Sequence, residues 1–264
     1  LGNTYAGYYH LTTVVANYQL SCDPWNVIHP THVQDVAKAF AWVYAHIVEF
    51  GGDPNNIFIF GQSAGGHLVS LLATDETYLQ AHGLAANRIK GVITMSGAYD
   101  LFDLVQWPAN PLELSAIEVL GYKTLCQNAF GSWEEWLLNG ASPATFVNAN
   151  QPPFLMITLQ ESGDFKDMPG FVREANDFYD LIKSLNGPQV TLKQLAVTDI
   201  PPEIVAVDFP LDTEGHYEEI YAINTKYWNS VSTQMIASFV TSMPSIPQQK
   251  YPFLNRGHTR NKIG

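Results

Sequence analysis

The sequence predicts an α/β fold, a mostly parallel sheet flanked by helices, running as one domain through residues 1–264. Three observations predict it. Short apolar runs alternate with segments of helical periodicity, the order from which a parallel sheet covered on both faces is built. The chain is 46% hydrophobic, enough to cover both faces of such a sheet. One apolar run, IFIF at 57–60, passes through a glycine-rich turn straight into a helical pattern.

Taken in order, residues 11–18 (LTTVVANY) are β-branched and apolar between polar flanks and predict a buried strand. A loop rich in turn residues, SCDPWNVIHP, follows. Over residues 31–50 Val33, Val36, Ala37, Phe40, Val43 and Ile47 recur at helical spacing, with Thr31 as the expected N-cap and Gly51-Gly52 as the stop. Residues 57–60 predict a strand and 65–74 a helix carried by Leu68, Leu71 and Leu72. Residues 89–96 (IKGVITMS) and 154–159 (FLMITL) predict two further strands. Residues 169–185 predict an amphipathic helix with Phe171, Ala175, Phe178, Leu181, Ile182 and Leu185 on its apolar stripe. Residues 190–197 predict the last strand and 227–243 the last helix. Residues 101–150 break the alternation. Their tryptophans, leucines and scattered prolines carry no strand pattern and predict a helical lid inserted over the sheet's carboxyl edge. The tail, 244–264, is rich in Pro, Gln and basic residues and is expected to wrap the surface.

Composition excludes several partners. Lys and Arg number 13 against 25 Asp and Glu, a formal net charge of −12, which disfavours nucleic acid and anionic membrane surfaces. No apolar run reaches the roughly 18–20 residues of a membrane-spanning helix. Charged residues are only 14%, which leans toward a secreted protein. No CxxC or HExxH spacing is present, so neither a metal nor a cofactor is expected. Cys22 and Cys126 sit at no elbow and are expected to be non-catalytic, a pairing between them being open.

The chemistry-bearing motif is Gly61-Gln62-Ser63-Ala64-Gly65, which fits G-x-S-x-G between an apolar strand and a helix, the context of a nucleophile elbow. A serine hydroxyl needs a base to take its proton, and in this chain order an acid and then a histidine should follow. Of the eight histidines only His216 and His258 come late enough. His216 in TEGHYEEI falls between the last strand and the last helix, whereas His258 falls in the basic tail. The acid is expected in the loop after FLMITL, a strand expected to end beside the elbow strand. Glu161, Asp164 and Asp167 are candidates, and Asp164, in a turn after Gly163, is the choice. Ala64 N–H, following the nucleophile, is the expected oxyanion donor. Gln62, Trp107 and Trp133 are expected at the substrate, and the aromatics Phe102, Trp107, Trp133 and Trp136 either line the pocket or pack in the core, core packing being the ordinary role of such residues.

The stretch from HPTHVQDVAKAF to GQSAGGHLVSLLATD, with NYQL before it and IKGVITMSGAYDL, the ASP at 141–143 and GHYEEI after it, resembles the hormone-sensitive-lipase-like branch of the α/β-hydrolases. It is most similar to carboxylesterases and arylformamidases of that branch. The resemblance spans roughly residues 10–240. It implies an α/β-hydrolase fold and hydrolysis of a small-molecule ester through a Ser63–His216–Asp164 triad and an acyl-enzyme. An aryl formamide is the alternative substrate, and a non-catalytic binding protein on the same fold the other reading. Family members carry an HGG-type oxyanion motif before the NYQL strand. The chain does not contain it, and the N-terminal strands of the fold are expected to be missing as well.

Overall fold

The structure, a computed structural model, describes residues 2–21, 26–106, 116–160, 170–185, 187–202, 223, 226 and 229–244. Among these residues the sheet has four strands, β1 (Ile57–Gln62), β2 (Ile89–Met95), β3 (Phe154–Leu159) and β4 (Val190–Leu195), all parallel and in sequence order. The helices are α1 (Gly2–Tyr8), α2 (Thr31–His46), α3 (Ala64–Thr74), α4 (Thr77–Gln80), α5 (Leu101–Gln106), α6 (Ala116–Phe130), α7 (Glu135–Ala141), α8 (Phe171–Ser184) and α9 (Val231–Ser242). Between β1 and β2 runs α3, between β2 and β3 run α5 to α7, and between β3 and β4 runs α8. Each crossover therefore carries helix, as parallel pairing demands.

The apolar strands are buried because both faces are covered. Side chains alternate along a strand, so neighbours serve opposite layers. In β3, Phe154 and Met156 join a core with Leu71 and Leu72 of α3 and Phe178 of α8. Leu155, Ile157 and Leu159 join the other, with Tyr5 of α1 and Ile236 of α9. A continuous run such as FLMITL is the sequence of a strand covered this way.

Most expected elements form, with small shifts at their ends. Residues 101–150 are helical as expected, with α5, α6, α7 and a short 3-10 turn at Pro143–Phe146. Helix α2 begins at Thr31, so Thr31 is the first helical residue and not the cap. Pro30 holds the cap position without a side-chain hydrogen bond. The helix tightens into a 3-10 turn at Ile47–Phe50 and stops at Gly51, whose φ of +81° is the left-handed conformation glycine accepts without strain. On α8 the buried face is Phe171, Glu174, Ala175, Phe178 and Ile182, while Leu181 is exposed. Helix α9 is capped by Ser230, whose side chain accepts from Thr233 N.

The expectation of a strand at residues 11–18 is corrected. The segment has no ladder, and Val14 and Val15 are 47% and 75% exposed. β-branched residues favour a strand only where a neighbour pairs with them. Here a cavity of about 510 Å³ lies between the segment and β1. It is lined by Leu11 and Val14 on one side and by Phe40, Ile57 and Ile59 on the other. Among the described residues β1 pairs only with β2, and residues 57–60 are accordingly half-buried. Asp35 of α2 anchors the end of the segment, its Oδ2 accepting from Gln19 N (3.1 Å) and Gln19 Nε2 (3.0 Å).

Candidate active site

The carboxyl ends of three strands meet in one row. Ser63 N donates to Met95 O (2.9 Å), Ser96 N to Ile157 O (2.9 Å) and Gln160 N to Leu195 O (3.0 Å). Each ladder thus runs one residue past its strand, and Ser63, Ser96 and Gln160 line the sheet's carboxyl edge. Ligands of open parallel sheets collect at this edge.

Ser63 holds φ +54° and ψ −120°, between β1 and α3. An L-residue enters that region only under constraint, at a cost of about 1–3 kcal/mol, and such strain clusters at functional sites. The constraint comes from the surrounding glycines. A Cβ on Gly61 would stand 2.1 Å from Gly65 O and 2.8 Å from Gly66 N, so the strand end and the helix start share one backbone-thick space. Gly65, by contrast, has open space where a Cβ would be. The motif's second glycine is needed for its backbone position, not for its missing side chain. His67 N donates to Ser63 O (3.0 Å), the first bond of α3, so the amides of Ala64 and its two successors precede the helix's own ladder. Ala64 is exposed, and Gln62 and Ser63 are half-buried.

The remaining expected site residues are distributed as follows. Asp164, with its rivals Glu161 and Asp167, lies outside the described residues, as do His216, His258 and Trp107. The side chain of Trp136 is likewise outside. Trp133 stands in the loop before α7 and is 45% exposed. Phe102 packs half-buried against the cluster of Leu101, Leu104, Leu138 and Phe171, so it belongs to the core of the helical segment. Cys126 joins that cluster as a buried free thiol, its pKa pushed up to about 12 by burial, and Cys22 lies outside the described residues. The loop expected beside the elbow strand starts two strands away, because β2 stands between β1 and β3.

Several residues around the edge escaped the sequence reading. Ser96 has φ +43° and is fully buried, a second strained serine one strand from Ser63. His67, on the first turn of α3, is buried and its Nε2–H donates to Ala141 O (2.7 Å) at the end of α7. A carbonyl only accepts, which sets the tautomer, and burial pushes the imidazole down to about 4, so it is neutral. Ser142 Oγ donates to Leu138 O (2.6 Å) and accepts from Leu101 N (2.9 Å), closing the helical segment on itself. Glu174 of α8, 2% exposed, accepts from Tyr99 N (3.0 Å) and Asp100 N (2.6 Å) through one oxygen. Its signal was available: a glutamate three residues after Phe171 and four before Phe178 falls on the apolar stripe.

The BD-FAE family matches residues 5–162, more than half of the chain. The chain belongs to the BD-FAE family. Its fold is that of the α/β-hydrolases. Of curated relatives, the probable carboxylic ester hydrolase LipM of Mycobacterium tuberculosis is 32% identical over 216 residues, covering 79% of this chain and 47% of that protein. Esterase LipC of the same organism is 30% identical over 170 residues, covering 63% of this chain and 40% of LipC. The chain thus spans about half the length, or less, of these relatives. Of solved structures, the metagenomic carboxylesterase EstE1 superposes with a TM-score of 0.59 at 17% identity, over 86% of this chain and 67% of EstE1. A truncated carbohydrate esterase from gut microbiota gives 0.55 at 19% identity, over 86% of this chain and 72% of that one. At those identities the likeness concerns the fold alone. Among the described residues of this BD-FAE chain, no helix is long and apolar enough to cross a membrane.

Proposed function

We propose that this BD-FAE chain hydrolyses carboxylic esters of small molecules, with Ser63 as the nucleophile. The backbone of Ser63 carries the reading: a strained serine at a strand–helix junction, with a helix N-terminus behind it. The esterase names of LipM and LipC support the same chemistry. Ser63 Oγ attacks the ester carbonyl while His216 takes its proton. Asp164 holds the imidazole in the required tautomer and stabilises the imidazolium. The developing oxyanion accepts a hydrogen bond from Ala64 N–H, in the positive field of α3. Collapse expels the alcohol, which takes its proton from His216, and water then releases the acid by the same base. Gln62, Trp107 and Trp133 are assigned to the substrate side of the site.

A fluorophosphonate probe tests this without a substrate. The expected result is one adduct, on Ser63, absent in Ser63→Ala, which also loses esterase activity. An adduct on another serine, or none on protein that hydrolyses esters, overturns the assignment.

A further inference from the structure

Glu174 is a carboxyl group buried in an apolar helix face, among Phe171, Ala175 and Phe178. Such burial is unfavourable unless the group is partnered. Its hydrogen-bond partners are not on its own helix. Oε2 accepts both Tyr99 N and Asp100 N, which belong to residues 96–100, the link from β2 to α5. Arg173 NH2 stands 3.9 Å from Oε1, and the same guanidinium pairs with Asp103 of α5 and, at 3.3 Å, with Asp177.

The other side of this link presses on the elbow. A Cβ on Gly66 would stand 3.0 Å from Gly97 Cα, so the link and the first turn of α3 touch backbone to backbone. Tyr99 folds back over Gly97, and its hydroxyl shares a hydrogen bond with Thr94 Oγ1 (2.8 Å). Its ring stacks on Phe178 of α8, with centroids 4.4 Å apart. The link begins at Ser96, in its positive-φ conformation. Helix α8 therefore grips the link twice, by the Glu174 carboxyl and by the Phe178 ring. The link in turn bears on the backbone three residues beyond Ser63.

We propose that Glu174 is a positioning residue for the elbow: by holding Tyr99 N and Asp100 N it keeps residues 96–100 seated against Gly66, and so keeps the Ala64 amide and the Ser63 hydroxyl in reacting geometry. The proposal rests on Ser63 being the nucleophile. Misplacement by about 1 Å through a residue remote from the chemistry can lower the rate by roughly 10²-fold.

The test compares Glu174→Ala, Glu174→Gln and Glu174→Asp in the full chain. Readouts are kcat and KM on a small p-nitrophenyl ester and the rate of fluorophosphonate labelling at Ser63, both per folded molecule and well below the melting temperature. Glu174→Gln keeps an oxygen that both amides reach and is expected within a few-fold of wild type. Glu174→Ala and Glu174→Asp, the latter too short to reach, are expected to lower kcat and the labelling rate together by about 10- to 100-fold with KM little changed. Should Glu174→Ala not fold, the Gln–Asp contrast decides. Wild-type kcat and labelling in Glu174→Ala or Glu174→Asp, with only the melting temperature lowered, overturns the proposal. So does a kcat loss in Glu174→Gln as large as in Glu174→Asp. Absence of the Ser63 adduct in the wild type would instead overturn the nucleophile assignment.

Discussion

Ser63 and Ser96 are two serines in positive-φ backbone at the ends of neighbouring strands, and only one follows the motif. What separates them is the next element. Ser63 opens a helix whose first amides face its side, whereas Ser96 opens the link held by Glu174. In sequence, Asp164 falls near the middle of the stretch between β3 and α8, while Asp167 comes shortly before α8, where a carboxylate favours a helix start through the dipole. Asp164→Asn is therefore expected to lower kcat by about 10⁴-fold, the scale of a triad acid. Asp167→Asn is expected to leave kcat near wild type and to cost about 1 kcal/mol of stability. Steady-state kinetics and urea titration of both variants check this. A large kcat loss in Asp167→Asn instead would move the acid by three positions without touching Ser63.

At the scale of elements, the segment after α1 shows how a good strand sequence fails to make a strand. Residues 11–18 have β-branched residues in a row but no ladder partner, so their anchor is polar and terminal: Gln19 on Asp35 of α2. Each such hydrogen bond contributes about 1 kcal/mol. Asp35→Ala removes both and is expected to destabilise the fold by about 1–2 kcal/mol and to open residues 9–20 to proteolysis ahead of global unfolding. Limited proteolysis with mass-spectrometric mapping reads this out. First cleavage elsewhere, at an unchanged rate in residues 9–20, would show the segment to be held by its apolar contacts. The helical segment between β2 and β3 behaves oppositely. Its ends are tied together through Ser142 and Leu101 and to α3 through His67 and Ala141.

For the whole molecule, buried titratable groups set the pH range. Burial pushes His29 and His67 down to about 4, with the His32 charge adding to it at both, while Asp75 opposes it at His29 and the Ala141 carbonyl at His67. Burial lowers His32 as well, against Asp35. The native state thus refuses protons that the unfolded chain binds below about 6.5. That stability is present above 6.5 and is lost as the pH falls toward 4. Glu174 has the opposite sign. Burial pushes it up to about 8, against the amides of Asp100 and Tyr99, with Asp100 and Asp103 adding to the rise. Its contribution is present below the ordinary carboxylate range and is lost as the pH rises toward 8. Among the described residues, three histidines outweigh one carboxyl below 6.5, and between 6.5 and 8 the carboxyl's contribution falls without theirs changing. Stability is therefore expected to peak near pH 6.5, falling on either side by on the order of 1 kcal/mol per pH unit per uncompensated group. In Glu174→Gln the fall between pH 6.5 and 8 should vanish while the acid fall stays. Denaturant midpoints from pH 4 to 9 measure both limbs, and an alkaline limb unchanged by Glu174→Gln would contradict the assignment.

The α/β class, the four strands of the described sheet, the helices that cross between them and the strand–serine–helix junction are legible in the residues alone. These are written in local periodicity and in glycines whose space is set by neighbours a few residues away, as Gly61 is by Gly65 and Gly66. The rest depends on contacts between distant parts of the chain. Whether residues 11–18 pair depends on what lies beside β1, which no local pattern carries. That β2 separates the elbow strand from β3 is a matter of sheet order. The clamp at Glu174 joins positions more than seventy residues apart, and its charge on an apolar stripe looks like a flaw in the pattern until Tyr99 and Asp100 are brought to it. Periodicity records which face of an element is buried, and only folding determines which backbone amides that face will meet.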